Sequence, residues 1–447
     1  MKNQTLCCLL ALWISFLYVY PTNGFALMHI IEHKVSHNDL EVGGGFGSAV
    51  DISESFAVVG APSDSYTLAG TSDLLKESGS VYVYQRIETD WVFQQKLIPN
   101  DPKANSKFGN AVSLDNDYII VGAFYDTIAI NSNAYTFLGS AYIFKYNGEQ
   151  WVQEAKLVPN DPGENYSFGF SVSISGNYAI VGCNSKRPYG AAYVFKNNNG
   201  NWEHHHMLTS GVNKYLRFGY SVDIFDDYAI VGADQYINEN NYKTGTVFIF
   251  HRQDNTWGNP VQLSDKDGLN NDSFGKAVAI NKDYALIGAR LNDTFGTSSG
   301  MAYISKRTET GWSDVNRLNF GDENLEGYNI GYSVSIGNHV AIVGAIYGTG
   351  NVEKSGLAYV YHNIDGEWIK NKESLIASDG NGNIEFGKYV AISDNYAIVA
   401  APRQDELAGA AYIYSFHESH LVNGDINNDE IIDLKDAIIM MQILINQ

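Results

Sequence analysis

Seven near-copies of one unit, six of them reading as four short strands and the seventh as three, predict an all-β fold: a seven-bladed β-propeller of four-stranded antiparallel blades. Three observations carry the prediction. A strand pair opening on Phe-Gly recurs along the chain, a tryptophan opens the fourth strand of nearly every unit, and an N-terminal segment matches the one strand that the last unit lacks.

The recurring stretch is "FGSAVDISESFAVVGAP" from Phe46, with counterparts from Phe108, Phe168, Phe218, Phe274, Ile330 and Phe386, spaced 50 to 62 residues apart. Its second residue is always Gly (Gly47, Gly109, Gly169, Gly219, Gly275, Gly331, Gly387) and its fifth always Val. In "FGYSVDI" (218–224) large apolar side chains alternate with small or polar ones, the period-two mark of a strand, here strand A. A two-residue turn, Asp226-Asp227, leads to "YAIVGA", an unbroken apolar run suited to a strand covered on both faces, strand B. "GTVFIF" and its relatives form strand C, and strand D starts at Trp91, Trp151, Trp202, Trp257, Trp312 and Trp368.

The seventh repeat has strands A to C and then changes composition at "HLVNGD", with no Trp. Residues 33–39, "HKVSHND", align instead with "QKLIPND" (95–101) and "AKLVPND" (155–161). The N-terminal segment is therefore expected to supply the outer strand of the last blade and seal the ring, removing the exposed edge an open array would keep. An open solenoid of the same units is the alternative.

The net charge of −21 argues against nucleic acid and anionic membrane surfaces as partners, since phosphates call for Lys and Arg. The chain opens with Lys2, an apolar run and a small-x-small site at Gly24 and Ala26, which reads as a signal peptide over 1–26 and a secreted or cell-surface protein. The run is short for a span of ~20 residues, so no transmembrane anchor is expected, although an anchor is the alternative reading. Without Cys7 and Cys8, Cys183 is alone, sits where other repeats carry Ala, and reads as a small buried apolar residue. No catalytic motif is evident, and a non-enzymatic role is expected. "EHHHM" (203–207) reads as a surface turn rather than a metal site.

The Phe-Gly and Gly-Ala-Pro signatures resemble the FG-GAP repeats of integrin-type propellers. The form with Trp followed by a Lys-Leu strand ("WVQEAKL", 151–157) resembles the bacterial branch found in extracellular proteins, and the likeness covers residues 28–416. Many such repeats carry an Asp-rich calcium loop between strands A and B. Here that space holds only "SES", "DND", "GN", "DD" or "KD", too short to wrap a divalent ion in six or more oxygens.

The long B-to-C and D-to-A connections share one face of the ring, where recognition is expected. Loops 62–78, 124–138 and 234–244 are rich in Asp, Asn, Ser and Tyr, a composition suited to a glycan or an extracellular protein, with Tyr66, Tyr125, Tyr135, Tyr236 and Tyr242 as stacking candidates. Solvated turns explain the same composition. In "SDKDGLNNDS" (264–273) and "SDGNGN" (378–383) turn chemistry explains the Asp, Asn and Gly as well as a calcium loop does.

"DINNDEIIDLKD" places Asp425, Asn427, Asp429, Asp433 and Asp436 at loop positions 1, 3, 5, 9 and 12, with the Ile431 carbonyl at 7, the register that wraps a hard cation such as calcium. Preceded by Asn-Gly, ending on Asp and followed by an apolar helix, the segment 421–447 resembles a single dockerin repeat, with Glu430 where Gly is usual. A helix apolar around nearly its whole girth needs a partner: a cohesin-like receptor, a second copy, or the propeller itself. The expected organisation is thus a signal peptide (1–26), a propeller (27–417) and a calcium-binding loop and helix (421–447). The expected role is non-catalytic binding or adhesion. A dockerin-tagged component or enzyme of extracellular polysaccharide degradation is the second reading, and a structural spacer the third.

Overall fold

The computed structural model describes residues 29–417 apart from 40, 41, 69, 71, 131, 132, 213–215 and 322–324, so the expected leader over 1–26 and the expected calcium loop and helix over 421–447, with Asp425, Asn427, Asp429, Ile431, Asp433 and Asp436, lie outside the described residues. The propeller body comprises Glu32–Ser415. Its seven blade sheets each hydrogen-bond in the order A-B-C-D. Blade 1, for example, is Ala49–Ile52, Phe56–Ala61, Ser80–Ile87 and Asp90–Leu97. Among the described residues no helix is long and apolar enough to cross a membrane.

Blade 7 is built as the sequence predicts, from Val390–Ile392, Tyr396–Ala401, Ala410–His417 and, as its outermost strand, His29–Val35. A side-chain network repeats around the ring and passes through this seam. In blade 2 the Tyr142 hydroxyl donates to Asp101 at 3.1 Å while Lys156 reaches Asp101 at 2.6 Å and Asp126 at 2.8 Å. In blade 7 the Tyr412 hydroxyl donates to Asp379 at 2.6 Å and Lys34 reaches Asp379 at 2.7 Å and Asp405 at 2.8 Å. Lys34 thus occupies the place of Lys156, which is why "HKVSHND" reads like "AKLVPND". Asp39 completes the circle on the other side of the seam, accepting from the Tyr82 hydroxyl at 2.9 Å and from Lys96 at 2.7 Å.

Five of the strand D tryptophans each meet an aromatic ring of the blade before. Trp151 meets Phe56 edge-on at 5.2 Å, Trp202 meets Tyr118 at 5.7 Å, Trp312 meets Tyr228 at 5.9 Å and Trp368 meets Tyr284 at 5.3 Å. Trp91 of blade 1 meets Tyr396 of blade 7 at 5.3 Å, so the same contact closes the ring. Each offset aromatic pair adds about 0.5–1.5 kcal/mol to the area it buries.

The Phe-Gly and Gly-Ala signatures meet at the blade junctions. A Cβ placed on Gly122, in strand B of blade 2, would lie 2.1 Å from the Gly169 carbonyl oxygen of blade 3. Gly60, Gly182, Gly232, Gly288 and Gly344 face the next blade's Phe-Gly glycine in the same way. The partner glycine, Gly169, has φ +87°, open to glycine at little cost, and this kink explains why strand A is shorter than its alternating pattern suggests in several blades. In blades 2, 5 and 6 the strand does begin at Phe108, Phe274 and Ile330, but its register shifts immediately after.

One expectation about single residues holds and one is corrected. Cys183 is buried, its thiol hydrogen-bonded to the Tyr166 carbonyl at 3.2 Å, and burial pushes its pKa up. The histidines of "EHHHM" do not form a surface turn: they lie in strand D of blade 3, Asn201–Leu208. A bulge explains the misreading. His206 pairs with Val194 and His204 with Phe195, leaving His205 as the extra residue, and the break in alternation makes the strand look irregular in sequence. Gln94 and Glu154 are the extra residues at the equivalent bulges of blades 1 and 2, where they accept from the Trp151 and Trp202 indole N–H at 3.1 and 2.8 Å.

Candidate functional site

Strand A of every blade lines a central bore. The invariant valines (Val50, Val112, Val172, Val222, Val278, Val334, Val390) narrow it, each only 7–9 % exposed. The next position joins neighbouring blades: the Leu114 N–H donates to Asp51 at 2.7 Å, Ile280 N–H to Asp223 at 2.8 Å, and Ile174, Ile224 and Ile392 N–H to Ser113, Ser173 and Ser335 at 3.2–3.3 Å. Both aspartates are structural acceptors in this ring. Burial pushes the Asp51 carboxyl up to about 7 against its backbone hydrogen bonds, with the Asp223 charge adding to the rise, and burial pushes Asp223 up to about 6.

A carboxyl with a raised folded-state pKa binds its proton more tightly folded than unfolded, so it lowers stability as pH rises from about 4 to about 7. Asp51→Ser installs the residue used at this position in blades 2, 3 and 6 and removes the ionisation. The expected result is a higher melting temperature than wild type at pH 8 and a smaller difference at pH 4.5. Melting curves across that range check it, and a variant less stable at pH 8 than at pH 4.5, relative to wild type, contradicts it.

The two mouths of the bore differ in charge. Around the short-turn mouth stand Glu54, Asp115, Asp117 and Asp394, lining a cavity of about 680 Å³. On the long-loop side the bore opens into a cavity of about 290 Å³ lined by Asn110, Phe170, Tyr220, Lys276, Tyr332 and Tyr389, among others.

A concavity of about 1110 Å³ lies between the loops of blades 2 and 3, lined by Tyr125, Phe137, Glu164, Asn165, Ser167, Ser185, Arg187 and Pro188. Tyr125 and Phe137 are each 41 % exposed, with ring centroids 5.1 Å apart, and Phe124 packs against Tyr125 at 4.0 Å with its ring tilted by 40°. This is an exposed aromatic platform beside both signs of charge and an amide.

The five tyrosine candidates fare differently. Tyr125 is in this groove. Tyr242 is exposed in a blade 4 loop, and Tyr135 is half-buried on a short loop hairpin, Ile128–Ile130 with Asn133–Tyr135. Tyr66 is turned inward, sharing a hydrogen bond with Ser78 at 3.0 Å, and Tyr236 packs against the core of blades 3 and 4. The acidic loops are likewise used internally: Asp265 accepts from Tyr303 at 2.5 Å and pairs with Arg317, and Asp272 accepts from the Leu269 N–H and Asn292. Sequence reasoning missed Phe137 and the bore mouth. Phe137 is an aromatic residue in a polar loop, and the mouth residues lie in different repeats, although the position after each Phe-Gly or Ile-Gly, which holds Ser48, Asn110, Phe170, Tyr220, Lys276, Tyr332 and Lys388, varies where the Gly before it does not.

The family model described as FG-GAP repeat matches residues 32–84, 91–144, 151–195, 203–250, 257–305 and 370–414, about two thirds of the chain. The matched segments leave out blade 6, the one with Ile330 in place of Phe, although Gly331 keeps the same contact there, a Cβ on Gly288 lying 2.1 Å from its carbonyl oxygen. No curated protein matches the chain.

Proposed function

Because the chain belongs to the FG-GAP repeat family, we propose that it is a secreted, non-catalytic binding protein whose long-loop face recognises a glycan or an extracellular protein. The observation that supports this most is the Tyr125–Phe137 platform in its groove: exposed aromatic faces stack on apolar ring faces while Glu164, Asn165 and Arg187 orient polar groups. A rigid ring carrying variable loops suits recognition. The tail adds attachment: Asp425, Asn427, Asp429, Asp433, Asp436 and the Ile431 carbonyl have the spacing to hold calcium, and the apolar helix after them would dock on a cohesin-like receptor or a second copy.

The test is a glycan array with the full chain, run beside an assay for released reducing sugar. Binding to a defined glycan without release is the expected outcome, with Tyr125→Ala weakening it about tenfold or more, the loss of roughly 1.4 kcal/mol of stacking. Sugar release would replace this reading with that of a polysaccharide-degrading enzyme. For the tail, a calcium titration of the full chain should show a site that Asp425→Ala removes; an unaltered isotherm would strike calcium from the proposal.

A further inference from the structure

The long-loop mouth of the bore concentrates positive charge in an acidic protein. Lys276, Arg290 and Arg217 converge there from blades 4 and 5, the one carboxylate among these three being Asp234, paired with Arg217 at 3.3 Å, while Lys388 nearby on blade 7 is paired with Glu385 at 2.7 Å. Among the described residues neither Lys276 nor Arg290 forms an ion pair with a carboxylate, and the Arg290 Nε is buried without a hydrogen-bond partner. Lys276 hydrogen-bonds to the Tyr220 hydroxyl and lies between two rings, its Nζ 4.1 Å from the Tyr220 centroid and 5.4 Å from that of Tyr332. Arg290 lies 5.4 Å from the same Tyr332 ring.

Buried cations are normally paired, because desolvation penalises an isolated charge. Here the pairing is incomplete and the space for a counter-charge exists, a cavity of about 290 Å³ walled by Phe170, Tyr220 and Tyr332. That volume is at the lower end of the ~300–1,000 Å³ of small-molecule sites, enough for one ring or end group and too little for a chain. Aromatic walls suit the face of a sugar ring, and the cations suit a single carboxylate on it.

We propose that this mouth is a binding site for a uronate, an acidic sugar whose carboxylate pairs with Lys276 and Arg290 while its ring lies against Tyr220 and Tyr332. It is separate from the groove of blades 2 and 3 and does not depend on it. Burial, with Arg290 adding repulsion, pushes the Lys276 amine down to about 7. The groups facing Lys276 are Arg290, Asp234, Arg217, Lys388, Tyr220 and Tyr332, and burial also raises the Asp234 carboxyl. Binding that needs the ammonium should therefore weaken with rising pH, by about tenfold or more between pH 6 and pH 8.5.

The experiment is calorimetric titration of the full chain with galacturonate at both pH values, with galactose, N-acetylaspartate and sulfate as comparators. Galacturonate should bind at pH 6, and the three comparators at least about tenfold more weakly. Lys276→Met and Arg290→Gln should each cost about tenfold in galacturonate affinity, and Tyr125→Ala nothing. Arg290→Gln, on a half-buried loop position, serves if Lys276→Met does not fold. No galacturonate binding by wild type overturns the proposal, as does binding indifferent to Arg290→Gln. Equal binding of N-acetylaspartate or sulfate overturns the assignment to a sugar.

Discussion

Removing residues 28–39 is expected to leave a propeller that aggregates, or that melts on the order of 10 °C or more below the intact chain. The deletion takes away the outer strand of blade 7, including Val35, which is 4 % exposed, and bares the hydrogen-bonding edge of strand C, Ala410–His417. It also strips Lys34 from Asp379 and Asp405, Glu32 from the Ser378 hydroxyl at 2.6 Å, and Asp39 from Tyr82 and Lys96. Burying one Val side chain is worth about 1.5–3 kcal/mol and each hydrogen bond about 0.5–1.5, so several kcal/mol are lost from a fold whose total stability is of order 5–15. The exposed edge adds a route to intermolecular pairing. Differential scanning fluorimetry and size-exclusion chromatography decide the matter: an unchanged melt with monomeric elution would show that the ring does not need this strand.

The parts of the fold legible in sequence are those written in period. Seven Phe-Gly starts, the strand D tryptophans and the "HKVSHND" match fixed blade count and closure, because each element repeats at nearly one spacing and the structure asks the same task of each copy. The structural cause of the signatures was not legible. Gly122 and Gly169 are 47 residues apart, and nothing local tells that one backbone rests on the other. The candidate sites were harder still. Lys276, Tyr220 and Tyr332 come together because the ring brings position three of several repeats to one mouth, with Arg290 arriving from the end of strand B, and neither position stands out along the chain. Tyr66 shows the converse: a polar loop suggested an exposed ring, but Ser78 across the short hairpin Tyr66–Thr67 with Leu74–Leu75 draws it inward.

Gly122→Ala is expected to cost more than about 2 kcal/mol, at the upper end of what an added methyl costs in a packed core. Two features place it there. The atom in the way is the Gly169 carbonyl oxygen, 2.1 Å from the new Cβ, with its carbonyl carbon at 3.1 Å, so no side chain can rotate aside and the blades themselves must part. The strand holding Gly122 is also pinned on both sides, by Ala111 on strand A and Ala141 on strand C. The seam between blades 7 and 1 provides the control, since Ala400 stands there where six blades have Gly. That junction is correspondingly looser: a Cβ on Gly47 would sit 3.0 Å from the Ala410 carbonyl oxygen, against 2.2 Å for Gly169 and the Ser140 oxygen. Ala400→Gly should therefore cost only the ordinary strand penalty of glycine, about 0.5–1 kcal/mol. Urea unfolding of both variants compares them directly, and a Gly122→Ala cost within about 0.5 kcal/mol of that for Ala400→Gly would mean that the glycine contacts do not set the blade spacing.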